Sequence, residues 1–110
     1  MDDWNYCVTT LPKVSRTFAL NISVLKGDLH KSILVAYLFC RTIDTVEDAC
    51  QLEASHKIKL LLHFASILKD TKNNSAALDQ WITNTSVVDG SPADIDLLKN
   101  TRRVFNIFES

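Results

Sequence analysis

Apolar residues recur three and four positions apart along most of the 110-residue chain, and this is the spacing of amphipathic helices. No stretch alternates convincingly as a strand would, so the pattern predicts an all-α fold. Beyond a long central run, helices are predicted over residues 4–11, 15–25, 53–69, 76–83 and from 91 to the end. In residues 53–69 the expected core positions are Ile58, Leu61, Leu62, Ala65 and Leu68. In the last helix they are Ile95, Leu98, Val104, Phe105 and Phe108.

Breaks in this pattern predict where the helices begin and end. Pro12 follows the first helix, and a glycine-containing break precedes Asp28, which is expected to cap the central helix. The clearest boundary is Ser91 followed by Pro92, because a serine N-cap with proline at the first helical position is a strong helix start. We expect that last helix to run to the chain end in one piece.

An acidic cluster ends the longest apolar run and is the most informative feature of the chain. A helix turns by about 100° per residue, so one stripe about 60° wide carries Tyr37, Arg41, Asp44 and Asp48. Nearly all the surrounding positions are apolar, which predicts a buried helix whose polar stripe faces a cavity. Those apolar positions are Ile33, Leu34, Val35, Ala36, Leu38, Phe39, Cys40, Ile43 and Val46.

Two carboxylates one turn apart at a cavity wall suit Mg²⁺, which takes one or two protein carboxylates and completes its shell with water and phosphate oxygens. The plainer alternative is that Asp44 and Asp48 are simply solvated near a helix end. The apolar run before them favours the cavity. Arg41 also has two interpretations, an ion pair with Asp44 or a contact to a phosphate group.

The segment from Ser15 to Asp48 resembles the squalene and phytoene synthases, all-helical enzymes that join two prenyl diphosphates head to head. The resemblance is carried by Ser-Arg-Thr-Phe at its start, by Tyr37 and Arg41, and by the Asp-x-x-x-Asp spacing. The Asp-Thr-Val-Glu-Asp form is closer to the squalene synthase branch. The implied fold is the N-terminal part of a prenyl-synthase helical bundle with a central cavity.

The resemblance implies a role for each matching residue. Asp44 and Asp48 correspond to the first aspartate-rich motif, which binds Mg²⁺ and through it a substrate diphosphate, with Glu47 as a weaker third ligand. Tyr37 and Arg41 correspond to catalytic residues of the cavity. The positions that match diphosphate contacts are Ser15, Arg16, Thr17 and Arg41.

Read without the resemblance, two of these positions have structural interpretations. Ser15 is then a helix N-cap and Phe18 a core aromatic, whereas the resemblance makes Phe18 the packing anchor of the segment before it. Both interpretations are compatible with the functional ones.

The implied activity is the condensation of two prenyl diphosphates, farnesyl diphosphate in the squalene synthase case, through magnesium-assisted ionisation. NADPH would be the reductant of a squalene synthase. The family's second aspartate-rich helix does not occur in residues 1–110, so we expect these residues to be a truncated N-terminal part of one isoprenoid synthase domain, inactive alone. A non-catalytic helical fragment or interaction module that retains the motif is the alternative.

Composition bears on nucleic-acid binding, on the state of the cysteines and on localisation. Twelve basic against thirteen acidic residues, without a basic patch, give nucleic-acid binding no support. Cys7, Cys40 and Cys50 lack metal-binding spacing and indicate reduced thiols in a cytoplasmic protein. We further expect peripheral membrane association through a lipophilic product, and self-association of the chain through exposed apolar faces.

Overall fold

The computed structural model describes residues 1–110, which form seven α-helices and no strand. The predicted all-α fold is therefore confirmed. The helices are α1 (Asp3–Val14), α2 (Arg16–Ser23), α3 (Gly27–Asp48), α4 (Ala54–Lys69), α5 (Ser75–Asn84), α6 (Pro92–Lys99) and α7 (Thr101–Glu109). A single 3-10 turn, Thr85–Val87, follows α5.

Helix α3 is the centre of the molecule and packs against α1, α2, α4, α6 and α7. Its inner face carries Leu34, Leu38 and Val46, which are completely buried. Burial of such side chains contributes about 1.5 to 3 kcal/mol each relative to exposure, so this face fixes α3 in the bundle. No helix combines the length and the apolar character that crossing a membrane requires.

An aromatic cluster joins α3 to the helices that follow it. The ring of Phe39 on α3 lies 4.9 Å from that of Phe105 on α7 and 5.7 Å from that of Phe64 on α4, measured between centroids. Phe64 in turn lies 4.9 Å from Trp81 on α5. The buried indole N–H of Trp81 donates to the backbone oxygen of Leu60 at 2.8 Å, so the cluster contains no unsatisfied donor.

Three predicted helix boundaries are wrong. Helix α1 continues through Pro12 to Val14, because a proline in the last turn removes only one helical hydrogen bond. Lys26, not Asp28, occupies the N-cap of α3, and Asp28 lies in its first turn. The last helix is interrupted at Asn100, whose side-chain amide donates to the backbone oxygen of Asp96 at 2.8 Å and closes α6 before α7 begins.

The predicted core positions are correct in part for α4, α6 and α7, since Leu61, Leu68 and Ile95 are partly buried and pack against the core. Leu98, Val104 and Phe105 are buried as predicted, whereas Phe108 is about half exposed. In α4 the buried residues are Leu60, Phe64 and Ile67, while the predicted Ile58, Leu62 and Ala65 face solvent. The reason is that α4 has apolar residues on two faces, and the aromatic cluster selects the face that carries Phe64.

Helix α3 is buried on one side only, which corrects the prediction of a fully buried helix. Ile33, Ala36 and Cys40 are exposed and share the solvent side of the helix with Asp44. The polar stripe therefore borders an exposed apolar strip instead of being surrounded by core.

Candidate active site

The C-terminal half of α3 and the loop before α6 enclose a concavity of about 170 Å³. Three of the residues predicted to form a site, Arg41, Asp44 and Asp48, line it together. The remaining lining residues are Thr45, Cys50, Asp89, Gly90 and Asp94. Four of the eight are aspartates and one is an arginine, so the concavity is strongly acidic.

Asp44 and Asp48 offer free carboxylates to this concavity. Both residues are exposed, and neither side chain takes part in a hydrogen bond or an ion pair within the protein. No group of three or more His, Cys, Asp or Glu side chains is arranged to enclose a metal. A pair of carboxylates without protein partners nevertheless fits Mg²⁺, which prefers hard oxygen donors and few protein ligands. The donor set therefore suits Mg²⁺ better than Zn²⁺.

Arg41 pairs with Asp94 of α6, a partner that neither sequence-based interpretation included. Its Nε donates to Oδ1 of Asp94 at 2.9 Å, and its Nη2 donates to Oδ2 at 3.0 Å. The planar guanidinium thus meets the carboxylate through two parallel bonds, which is the strongest geometry for this pair. The hydrogen bond from Arg41 to Asp94 raises the pKa of Arg41 above its usual value.

Asp94 is held in place by the start of its own helix. Ser91 is the N-cap of α6, as predicted, and its hydroxyl accepts from the backbone N–H of Asp94 at 3.2 Å. The same hydroxyl donates to Oδ2 of Asp94 at 2.9 Å. Burial alone would raise the pKa of Asp94, but the hydrogen bonds from Arg41 and Ser91 lower it overall. The negative charge is also favoured by the first turn of a helix.

The loop before α6 approaches α3 closely at Gly90. A Cβ atom built on Gly90 would lie 3.4 Å from Cγ2 of Thr45 and 3.8 Å from Cβ of Asp94. These are ordinary van der Waals distances, so the loop packs directly against α3 and carries Asp89 and Asp94 to the wall of the concavity.

The predicted diphosphate segment lies apart from this concavity. Ser15 is the N-cap of α2, as its structural interpretation predicted, and accepts from the backbone N–H of Phe18 at 3.3 Å. Arg16 and Thr17 are exposed, and none of the three lines the concavity. Phe18 is half exposed instead of a core residue.

Phe18 connects this segment to the motif helix through Tyr37. The two rings lie 5.0 Å apart between centroids. Tyr37 is partly buried one turn before Arg41 but does not line the concavity. Glu47, the weaker metal candidate, is exposed and also lies outside the lining residues. The structure thus brings together Arg41, Asp44 and Asp48, and leaves Tyr37 and Glu47 beside them.

Sequence comparison identifies relatives of the chain. A family profile described as squalene/phytoene synthase matches residues 11–108. The chain is 38% identical over 68 residues to Squalene synthase 1 of Arabidopsis thaliana, covering 62% of this chain and 17% of that protein. It is 33% identical over 87 residues to squalene synthase of Nicotiana benthamiana, covering 72% of this chain and 21% of that protein.

A mammalian relative shows the same pattern of partial coverage. The chain is 42% identical over 64 residues to squalene synthase of Mus musculus, covering 58% of this chain and 15% of that protein. It therefore spans only 15% to 21% of the length of these curated relatives. No solved structure matches the chain significantly.

Proposed function

Because the chain belongs to the squalene/phytoene synthase family, we propose that the complete protein condenses two prenyl diphosphates head to head. The observation that carries the proposal is the pair of free carboxylates, Asp44 and Asp48, at the wall of an acidic concavity beside Arg41. The relatives named squalene synthase favour farnesyl diphosphate as the substrate and squalene as the product. NADPH is then the reductant, and the lipophilic product favours peripheral contact with a membrane.

We assign the cation to Asp44 and Asp48, with Glu47 as an outer ligand. A bound Mg²⁺ would supply positive charge that offsets the leaving diphosphate. Arg41 donates two of its N–H groups to Asp94, and its other N–H groups remain available to phosphate oxygens. We also propose that Tyr37, one turn earlier on α3, acts near the reacting carbons, as the family resemblance implies.

The start of α2, from its N-cap Ser15 to Thr17, is proposed to supply a second group of diphosphate contacts. Arg16 and Thr17 are exposed and free of side-chain hydrogen bonds, so their donors are available to an anion. The Ser15 hydroxyl caps α2 as an acceptor and still has its own proton to donate. Stacking of Phe18 on Tyr37 ties this segment to the motif helix.

The metal assignment is tested by changing Asp44→Asn or Asp48→Asn in the complete protein. Each change removes one ligand of a cation that is worth several kcal/mol to the leaving group, so magnesium-dependent turnover of farnesyl diphosphate should fall by at least about a hundredfold. Glu53→Gln is the control, because Glu53 is an exposed acid five residues further on that does not line the concavity. Near-normal turnover by either aspartate variant would overturn the assignment.

A further inference from the structure

Arg41 has an acidic neighbour that is much closer in sequence than the aspartate it binds. Asp44 follows it by three residues on the same helix, a spacing at which arginine and aspartate side chains meet readily. Both hydrogen bonds of the Arg41 guanidinium nevertheless go to Asp94, which is 53 residues away along the chain. Asp44 is left without a partner in the protein, as a residue that is to bind a cation must be.

Two features favour Asp94 over Asp44 as the partner of Arg41. Its side chain is only 11% exposed, whereas Asp44 is solvent-exposed, so the pair with Asp94 is better shielded from water. Its orientation is fixed by the reciprocal hydrogen bonds with Ser91 at the start of α6. The result is a rigid carboxylate that presents both oxygens to the planar guanidinium.

We propose that Asp94 is a positioning residue that holds Arg41 away from Asp44, so that Asp44 and Asp48 both remain available to a divalent cation. The inference rests on the proposed function, since it concerns the same cation site. Without the Asp94 carboxylate, Arg41 would turn toward Asp44 and occupy a ligand that the cation needs. Asp94 thus acts through Arg41 and does not itself bind the metal.

Binding of Mg²⁺ alone, measured by calorimetry on the complete protein, tests this separately from turnover. An exposed arginine–carboxylate pair is worth up to about 1 kcal/mol, so Asp94→Asn should weaken Mg²⁺ binding by roughly two- to fivefold. Asp89→Asn is the matched control, because Asp89 lines the same concavity but makes no hydrogen bond to Arg41. Asp89→Asn therefore measures how the loss of one negative charge from the wall of the concavity changes Mg²⁺ binding.

The decisive measurement is the change caused by Arg41→Met in two backgrounds. If Arg41 moves onto Asp44 when Asp94 is lost, then Arg41→Met will strengthen Mg²⁺ binding more in the Asp94→Asn background than in the wild type. A role of Asp94 confined to stability or to its charge predicts equal changes in the two backgrounds. Equal changes, or equal effects of Asp94→Asn and Asp89→Asn, would overturn the inference.

Arg41→Lys provides a second variant that keeps Asp94, Ser91 and the net charge. Lysine lacks the planar fork and should leave Asp94 for Asp44 part of the time, so Mg²⁺ binding should weaken relative to the wild type. Unchanged binding in Arg41→Lys would count against the inference even if Asp94→Asn failed to fold. If the wild-type protein bound no Mg²⁺, both the proposed cation site and this inference would be wrong. If the wild-type protein bound Mg²⁺ and the effects of Arg41→Met and Asp94→Asn were additive, only this inference would be wrong.

Discussion

The Asp94 carboxylate is kept ionised by hydrogen bonds despite its burial. Removal from water disfavours the charged form, but two hydrogen bonds from Arg41 and one from Ser91 act in the opposite direction and prevail. The pKa of Asp94 in the folded chain is therefore below its ordinary value. A carboxyl group in this position couples the stability of the α3–α6 contact to pH.

The direction of that coupling follows from the lowered pKa. Ionised Asp94 stabilises the fold at pH values above its unfolded pKa of about 3.9, and the contribution is lost as the pH falls through the folded value. We expect Asp94→Asn to reduce the free energy of unfolding near neutral pH and to flatten its decline below about pH 4. Urea denaturation of the chain at a series of pH values measures this. An unchanged pH profile in Asp94→Asn would contradict it.

At the scale of elements, α4, α5 and α7 meet α3 through one aromatic cluster. Phe105 contacts Phe39 of α3 and Phe64 of α4, with ring centroids 4.9 and 5.6 Å away. Phe64 also contacts the ring of Trp81 on α5. Because one ring touches two others, loss of Phe105 would open a cavity between several helices at once.

We therefore expect Phe105→Ala to lower the free energy of unfolding by about 3 to 5 kcal/mol, the usual cost of removing a buried phenyl ring. Phe108→Ala, three residues away on α7, is the matched control, because its side chain is about half exposed and should cost less than half as much. Guanidinium denaturation monitored by helical circular dichroism compares the two variants. Equal losses would show that α7 is not anchored by Phe105.

The elements were predictable from the sequence to the extent that local signals determine them. Ser91 and Pro92 fixed the start of α6, and the apolar run fixed α3. The inner face of α4 was not predictable, because its apolar residues occupy two faces and only packing against Trp81 and Phe105 distinguishes them. A break at Asn100 likewise depends on a side-chain hydrogen bond that competes with the helix.

For the candidate site, the local part was predictable and the long-range part was not. The helical spacing placed Arg41, Asp44 and Asp48 on one stripe, and they do line one concavity. The partner of Arg41 lies 53 residues away, in the first turn of the helix that Ser91 and Pro92 begin. No sequence periodicity connects Arg41 with Asp94, so the pairing of these two residues is visible only in the folded structure, where the loop before α6 packs against α3.

At the scale of the whole molecule, nearly half of the exposed large apolar side chains lie in one segment of the chain. Eleven large apolar side chains are exposed, and five of them fall between the start of α2 and the second turn of α3. These five are Phe18, Leu20, Val24, Leu29 and Ile33. Several exposed apolar side chains in one short segment favour contact with another protein element, whereas single exposed apolar residues are normal.

We accordingly expect this 110-residue chain, studied alone, to self-associate through α2 and the start of α3. Leu20 and Val24 are both 74% exposed, so replacing both with serine removes apolar surface without disturbing the core. Each buried aliphatic side chain favours association by about 1.5 kcal/mol or more, so the loss of two should raise the concentration needed for association by about a hundredfold or more. Val87→Ser, on the 3-10 turn, is the control, since Val87 is an exposed apolar residue away from that region in the sequence. Sedimentation velocity over a concentration series distinguishes the variants, and a wild-type chain that remained monomeric at every concentration would show that these side chains drive no association.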